Sequence, residues 1–250
     1  MSGHSKWATT KHQKAAKDAR RGKLFAKMIR VIEVAARDGG GNVESNPTLA
    51  DAIQRARSVS MPNDTIDRAI KRGTGDLEGV KYESLVYEGY GPGGVALLLE
   101  VLTDNRNRAA ADIRRIFTKS GGTMGDPGSV AWMFNRKGVV LIPAEQISED
   151  DLLLLGMEAG AEDVSRDGEH WRVTCEASEY QGLKKALKDA GIEPESAQLS
   201  MEPAATIPLD RSDAEKVMKL MNDLDDNDDV QEIYTNFDIP DELLAETGSG

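Results

Sequence analysis

The apolar period of this chain changes once, near Gly75, and that change limits what the chain can fold into more than any other feature. Before it, apolar residues recur every three or four positions, as in helices that bury one face. Between residues 11 and 37 Leu24, Phe25, Met28, Ile29, Ile32 and Ala36 share such a face, with Lys23, Lys27, Arg30 and Arg37 opposite. Glycines at 39 to 41 end this helix. Asn46 followed by Pro47 starts a second, because proline at the first helical position forfeits no hydrogen bond, and Leu49, Ala52, Ile53 and Ala56 supply its stripe. Asn63 or Asp64 is the expected cap of a third, with Ile66, Ala69 and Ile70 buried and Gly73 as its stop.

After Gly75 the apolar runs become strand-sized. Strands are expected over 82–87, 95–103 and 129–134, with a helix over 106–119. A self-contained series follows: strand 139–142, helix 149–158, a hairpin of 163–165 and 170–174 about Asp167 and Gly168, helix 179–190 and strand 197–201. That βαββαβ order is the ferredoxin-like arrangement. A helix over 213–224 and a strand over 230–237 then return to complete the sheet begun at Tyr82. The expected fold is α+β and multidomain. A three-helix bundle with a leading arm takes 1–75, a discontinuous α+β domain takes 76–136 and 206–240, a ferredoxin-like domain is inserted at 137–205, and an acidic tail takes 241–250.

Charge divides at the same place. Residues 1–75 carry 15 Lys and Arg against 7 Asp and Glu, whereas the remainder carries 16 against 36, so a basic head sits on an acidic body within a net charge of −12. In the first thirty residues Lys6, Lys11, Lys14, Lys17, Arg20, Arg21, Lys23, Lys27 and Arg30 face a single acid, Asp18. Such clustering is the electrostatic footprint of a polyanion-binding segment. The candidate nucleic-acid-binding residues are Lys6, Trp7, Lys11, His12, Lys14, Lys17, Arg20, Arg21, Lys23 and Lys27. The cations would hold phosphates, while Trp7 would stack on an unpaired base. Arg106, Arg108, Arg114 and Arg115 on the middle helix form a secondary basic site, for which a solvated face paired with nearby acids is the plainer reading.

Other classes find little material. No apolar run approaches the roughly 18 residues of a membrane span, and the opening MSGHSKWATTKHQK is polar throughout, so a cytoplasmic protein is expected. The one cysteine, Cys175, excludes an intramolecular disulfide framework and a thiolate-rich zinc site; beside Glu176 at the end of an apolar strand it reads as a buried structural residue. GYGPGG at 89–94 has dinucleotide-site spacing, but a strand follows it where a helix is needed, so a plain turn is expected. Asp223, Asp225 and Asn227 open like a calcium loop, yet Asp228 and Tyr234 occupy the positions that require glycine and glutamate. An acidic, solvated helix end is the expectation there. With only His4, His12 and His170 in the chain, no catalytic residue, metal ligand or cofactor is assigned, and a non-enzyme is expected.

The segments GHSKWATTKHQK, DARRGKLFAKMIR, SNPTLADAIQRARSVSMPNDTIDRAIKRG, YEGYGPGGVALLLEVLTDNRNR, GGTMGDPGSVAWMF and DDVQEIYTNF, in this order over nearly the whole chain, resemble the YebC/PmpR family. That family includes a mitochondrial translational activator of cytochrome oxidase. The resemblance implies a helical bundle and two α+β domains, the ferredoxin-like one inserted. It also implies a DNA-binding transcriptional regulator, or alternatively a ribosome-associated translation factor that assists synthesis through proline-rich stretches. The expected partners are DNA, or ribosomal or transfer RNA and the ribosome; separately, the acidic body is expected to engage a protein partner or a second copy. Lys6, Trp7, Lys11, His12 and Lys14 match the family's GHSKWAxxKHxK opening. Thr10 stands where isoleucine is usual and Gln13 where a basic residue is common, which weakens the expected phosphate grip and alters how the arm docks on the bundle.

Overall fold

The computed structural model describes residues 18–238, with side chains from residue 22 onward. Three helices open it: α1 (Asp18–Gly39), α2 (Pro47–Ser58) and α3 (Asn63–Thr74). Their apolar stripes meet in a core of Met28, Ile32, Ala36, Leu49, Ile53, Ala56, Ile66 and Ala69. Asn46 joins the first two helices. Its Oδ1 accepts from the Leu49 N–H at 3.0 Å, capping α2, while its Nδ2 donates to the carbonyls of Ala35 and Gly40 at 2.8 Å. α3 is capped differently from expectation: Pro62 is its N-cap and no side chain bonds there, with Asp64 lying in the first turn where its charge suits the helix dipole.

Gly73 does not stop α3. The helix runs to Thr74 and ends at Gly75, which takes the left-handed φ of 86°. A Cβ at position 73 would lie 2.4 Å from the Glu33 carbonyl oxygen and 2.7 Å from Ala36 Cβ, so glycine is what lets α3 touch the α1 backbone. Gly73→Ala is expected to destabilise the bundle by about 1–3 kcal/mol through overpacking. At Gly22, in α1, a Cβ meets nothing within 4 Å, and alanine there should stabilise by about 0.5–1 kcal/mol. Thermal unfolding of the two variants should therefore shift in opposite directions.

The next elements are β1 (Glu83–Tyr90), β2 (Ala96–Thr103), α4 (Arg106–Lys119) and β3 (Thr123–Met124). After residue 204 come β8 (Ile207–Pro208), α7 (Arg211–Asp225), β9 (Val230–Thr235) and β10 (Phe237–Asp238). An antiparallel sheet runs β3-β1-β2-β9, so the late strand β9 does return to the early sheet. The central strand β2 is buried at every position but Glu100. Leu97, Leu99 and Val101 pack with Ile113 and Phe117 of α4, and with Val217, Leu220 and Leu224 of α7. The expected strand over 230–237 breaks at Asn236, whose Oδ1 accepts from the Ala96 N–H at 2.8 Å and whose carbonyl accepts from Ile207. β10 then pairs in parallel with β8 instead.

The strand expected over 129–134 is mostly a turn, with a 3-10 stretch at Ala131–Met133. The reason is Glu88. Its carboxylate, buried near the C-terminal end of β1, accepts from the N–H groups of Gly128 and Val130 at 2.7 Å and of Ala131 at 2.8 Å, diverting them from any ladder. Burial pushes the Glu88 carboxyl up, and the three donors together outweigh it, so its pKa lies below the ordinary glutamate value. A lowered folded-state pKa gives stability that is present above the unfolded value and lost as pH falls through the folded one. Glu88→Gln, which turns an amide donor toward one of those N–H groups, should cost about 1.5–3 kcal/mol at pH 7. In urea unfolding the gap between wild type and variant should close as pH drops below about 4; a gap of constant size would mean that Glu88 is not charged in the folded protein.

Residues Phe134–Ala204 form a second compact unit, the first comprising the residues on either side. It contains β4 (Phe134–Pro143), α5 (Glu149–Glu158), β5 (Ala161–Asp167), β6 (His170–Glu176), α6 (Tyr180–Asp189) and β7 (Ser196–Pro203). Its sheet runs β5-β6-β4-β7, antiparallel throughout. Val140, Ile142 and Val173 of the sheet pack with Leu152 of α5 and with Tyr180, Leu183 and Leu187 of α6. Ser148 caps α5 by accepting from the Asp151 N–H, and Gly168 supplies the positive φ of the β5–β6 turn. The protein is thus a mixed α+β chain of seven α-helices and mainly antiparallel sheets among the described residues.

Candidate nucleic-acid interface

Of the basic residues singled out in the sequence, Lys6, Trp7, Lys11, His12, Lys14 and Lys17 lie outside the described residues. Arg20 and Arg21 fall in the first turn of α1, and their side chains are also outside the description. Lys23 and Lys27 are placed, and each meets an acid. Lys23 Nζ lies 3.0 Å from Asp226 Oδ1; Lys27 Nζ lies 3.0 Å from Asp225 Oδ1 and donates to the Asp225 carbonyl at 2.7 Å. Lys27 is buried, at 6% exposure. One turn further on, Arg30 lies 2.9 Å from Asp229 Oδ1, donates to the Asp228 carbonyl, and sits 5.4 Å over the Tyr82 ring.

Positions 23, 27 and 30 share one helix face, so the basic stripe of α1 is matched by acids at the end of α7 and in the turn from α7 to β9. That turn is therefore not the solvated helix end expected from sequence. Pairing of β9 with β2 brings it beside α1, where it carries ion pairs with the helix. Asp229 is its buried centre: besides Arg30 it accepts from Arg108 Nη2 at 2.9 Å and from Thr103 Oγ1 at 3.1 Å. Arg55 of α2 pairs with Glu232 of β9, and the neighbouring carboxylate holds its guanidinium above the ordinary arginine range despite burial.

The secondary basic site divides in two. Arg108 is held by Asp104 at 2.7 Å and by Asp229, and Arg115 lies 3.8 Å from Asp112. Arg106 and Arg114 are exposed and have no ion pair among the described residues, leaving two open cations eight positions apart on α4. Sequence reasoning missed Trp132, which is 73% exposed with its Nε1 donating to the Ser129 carbonyl at 3.1 Å. It projects from the turn that Glu88 anchors. Its apolar neighbours Val130 and Phe134 made this stretch resemble a strand, hiding an aromatic side chain held out to solvent.

The remaining motifs are structural. GYGPGG closes the β1–β2 hairpin, with the Gly91 N–H donating to the Val95 carbonyl at 2.8 Å. Gly93 has φ 69°, and a Cβ there would lie 2.7 Å from Leu209 Cδ2, so the turn is packed against its own domain rather than open to a pyrophosphate. Cys175 is buried in the core of the second unit, where burial pushes its thiol up and away from nucleophilic use. Among the described residues no three His, Cys, Asp or Glu side chains are grouped to hold a metal ion. None of the helices described is long and apolar enough to cross a membrane.

Comparison with known proteins covers nearly the whole chain. The profile of the TACO1/YebC N-terminal domain matches residues 5–76, and that of the TACO1/YebC second and third domain matches residues 82–237. The chain belongs to the TACO1/YebC family. It is 59% identical over 247 residues to a "probable transcriptional regulatory protein" of Rubrobacter xylanophilus, covering 98% of this chain and 99% of that one. A protein of the same name from Thermobifida fusca is 58% identical over 246 residues, with 98% and 99% covered. The crystal structure of a conserved hypothetical protein from Aquifex aeolicus superposes with a TM-score of 0.83 at 46% identity, covering 91% of this chain and 94% of that chain.

Proposed function

We propose that this TACO1/YebC-family protein is a non-enzymatic, cytoplasmic regulator of gene expression that binds nucleic acid through its basic N-terminal segment, and that its target is DNA. The observation that carries the reading is the charge of residues 1–30, nine cations against one acid in a chain of net charge −12. The names of the Rubrobacter and Thermobifida relatives support transcription as the process. In this reading residues 1–75 are the gripping bundle, 76–136 with 206–240 the body, and 137–205 a ferredoxin-like insert. Lys6, Trp7, Lys11, His12, Lys14, Lys17, Arg20, Arg21 and the exposed Lys23 form the interface. Lys27 belongs to the same stripe and in the free protein is held by Asp225, and Arg106 with Arg114 supplies a second contact.

In-cell crosslinking followed by sequencing of both DNA and RNA, alongside sucrose-gradient sedimentation, tests this. Enrichment of promoter fragments supports the DNA reading. Cofractionation with ribosomes and recovery of ribosomal or transfer RNA, without promoter enrichment, would replace it with a translational one that uses the same cations on a different polymer.

A further inference from the structure

We infer that the acidic segment formed by the end of α7 and the turn leading to β9 is an internal competitor for phosphate. Asp225 and Asp226 occupy Lys23 and Lys27 in the free protein and yield them when a polyanion arrives. The inference rests on the reading of α1 as part of a polyanion-binding surface and adds the regulation of that surface.

Three observations carry it. First, the pairing is clustered: along α1, Lys23, Lys27 and Arg30 meet Asp226, Asp225 and Asp229, so one acidic segment of five residues covers three consecutive cations, though not in chain order. Second, burial is graded along the contact. Lys23 and Asp226 are both exposed, Lys27 is buried against a partly exposed Asp225, and Arg30 and Asp229 are both largely buried. An exposed ion pair contributes little in water and is screened by salt. Exchange can therefore begin at Lys23 and proceed inward, with the Arg30–Asp229 pair as the pivot. Third, the helical core around Ile32 and Leu49 shares no residue with the sheet core around Leu97 and Leu99. Polar contacts link the two: the three pairs above, Arg55 with Glu232, and Arg37 with the Tyr82 carbonyl at 2.7 Å. Apolar side chains are present there too, with Met28 and Val31 of α1 and Val101 and Leu102 of β2 lining one cavity, and the ion pairs are the part of the contact that ionic competition reaches.

The same arrangement accounts for an acidic run beside a basic helix in a protein that must let go of nucleic acid. Covering two cations lowers affinity for short or sparse phosphate arrays, while a long polyanion supplies enough counterion release to displace the carboxylates.

The test uses the full chain carrying Asp225→Asn and Asp226→Asn. Against a 20-base-pair duplex and a single strand of the same length, its affinity should rise about three- to ten-fold, and the slope of log K against log salt should steepen by about one to two. A control with Asp67→Asn and Glu83→Gln, two exposed acids outside the turn, makes the same change in net charge. An equal gain in the control, or no gain in the turn variant, would overturn the inference. A second readout is independent of nucleic acid. Spin labels at Gln54→Cys on α2 and Lys219→Cys on α7, both exposed positions, report the spacing of bundle and body. Long-chain polyphosphate should broaden that distance distribution in the wild type, and the turn variant should be broadened without it. A distribution unmoved by polyphosphate or by 1 M salt (Debye length about 3 Å) would overturn the inference. Movement with polyphosphate alongside failure to bind any nucleic acid would keep the latch and reject the functional reading.

Discussion

Asp229→Ala is expected to cost about 3 kcal/mol of stability, because removing one partner of a buried ion pair strands the other. Asp229 is 5% exposed and accepts from Arg30, Arg108 and Thr103, so its loss leaves the largely buried Arg30 guanidinium facing the Asp228 and Leu102 carbonyls without a counter-charge. Arg108 is half exposed and can turn to water or to Asp104, which places the effect at the lower end of the range for buried pairs. At roughly 2–4 °C per kcal/mol for a unit of this size, the melting temperature should fall by about 6–12 °C. Asp229→Asn keeps an acceptor for Thr103 and should lie between wild type and alanine. Replacing both partners, Arg30→Met with Asp229→Leu, should recover much of the loss, since the stranded charge is gone. Thermal unfolding followed by circular dichroism decides it: a fall of less than about 1 kcal/mol would show that the hub is wet and contributes no more than a surface pair.

Local pattern made most elements legible. The periods around Leu24 to Ala36 and the apolar run at 95–103 specified a helix and a buried strand because each depends only on residues a few positions apart. What escaped the sequence were features decided by distant partners. Gly73 looked like a helix stop because glycine usually is one there; its actual task, admitting the Glu33 carbonyl, depends on α1 lying against it. Residues 129–134 looked like a strand because alternation cannot tell a ladder from a turn whose N–H groups go to a carboxylate forty residues earlier.

The candidate site divides along the same line. An excess of positive charge is a property of composition and was visible at once. Which of those charges are open to a ligand is a property of topology. Lys23 and Lys27 belong to the same stripe as the residues before them, yet β9 brings Asp225 and Asp226 to meet them from about two hundred positions away. The acidic run had no reason in its own neighbourhood to be anything but solvated. Trp132 was hidden for the opposite reason: its exposure follows from a turn that its apolar neighbours disguise.

The largest functional effect is expected from the arm. If five to seven of the nine cations in residues 1–30 contact phosphate, log K should fall with log salt at a slope of about −4 to −6 on duplex DNA and about −3.5 to −5 on a single strand. Lys11→Ala with Lys14→Ala removes two of those contacts, so the duplex slope should become shallower by about two, with affinity lost across all sequences alike. Trp7→Ala should separate stacking from charge. It leaves the slope nearly unchanged and costs about 1–3 kcal/mol of binding if the indole lies on a base. On that account the Trp7 loss should be larger on single strands than on duplex, because only unpaired bases offer a face. A lowered melting temperature with no selective loss of binding would instead assign Trp7 to the packing of the bundle. Should the double lysine variant stay folded and bind with unaltered affinity and slope, the arm is no phosphate clamp. The grip would then have to come from α1 and the two open arginines of α4, Arg106 and Arg114.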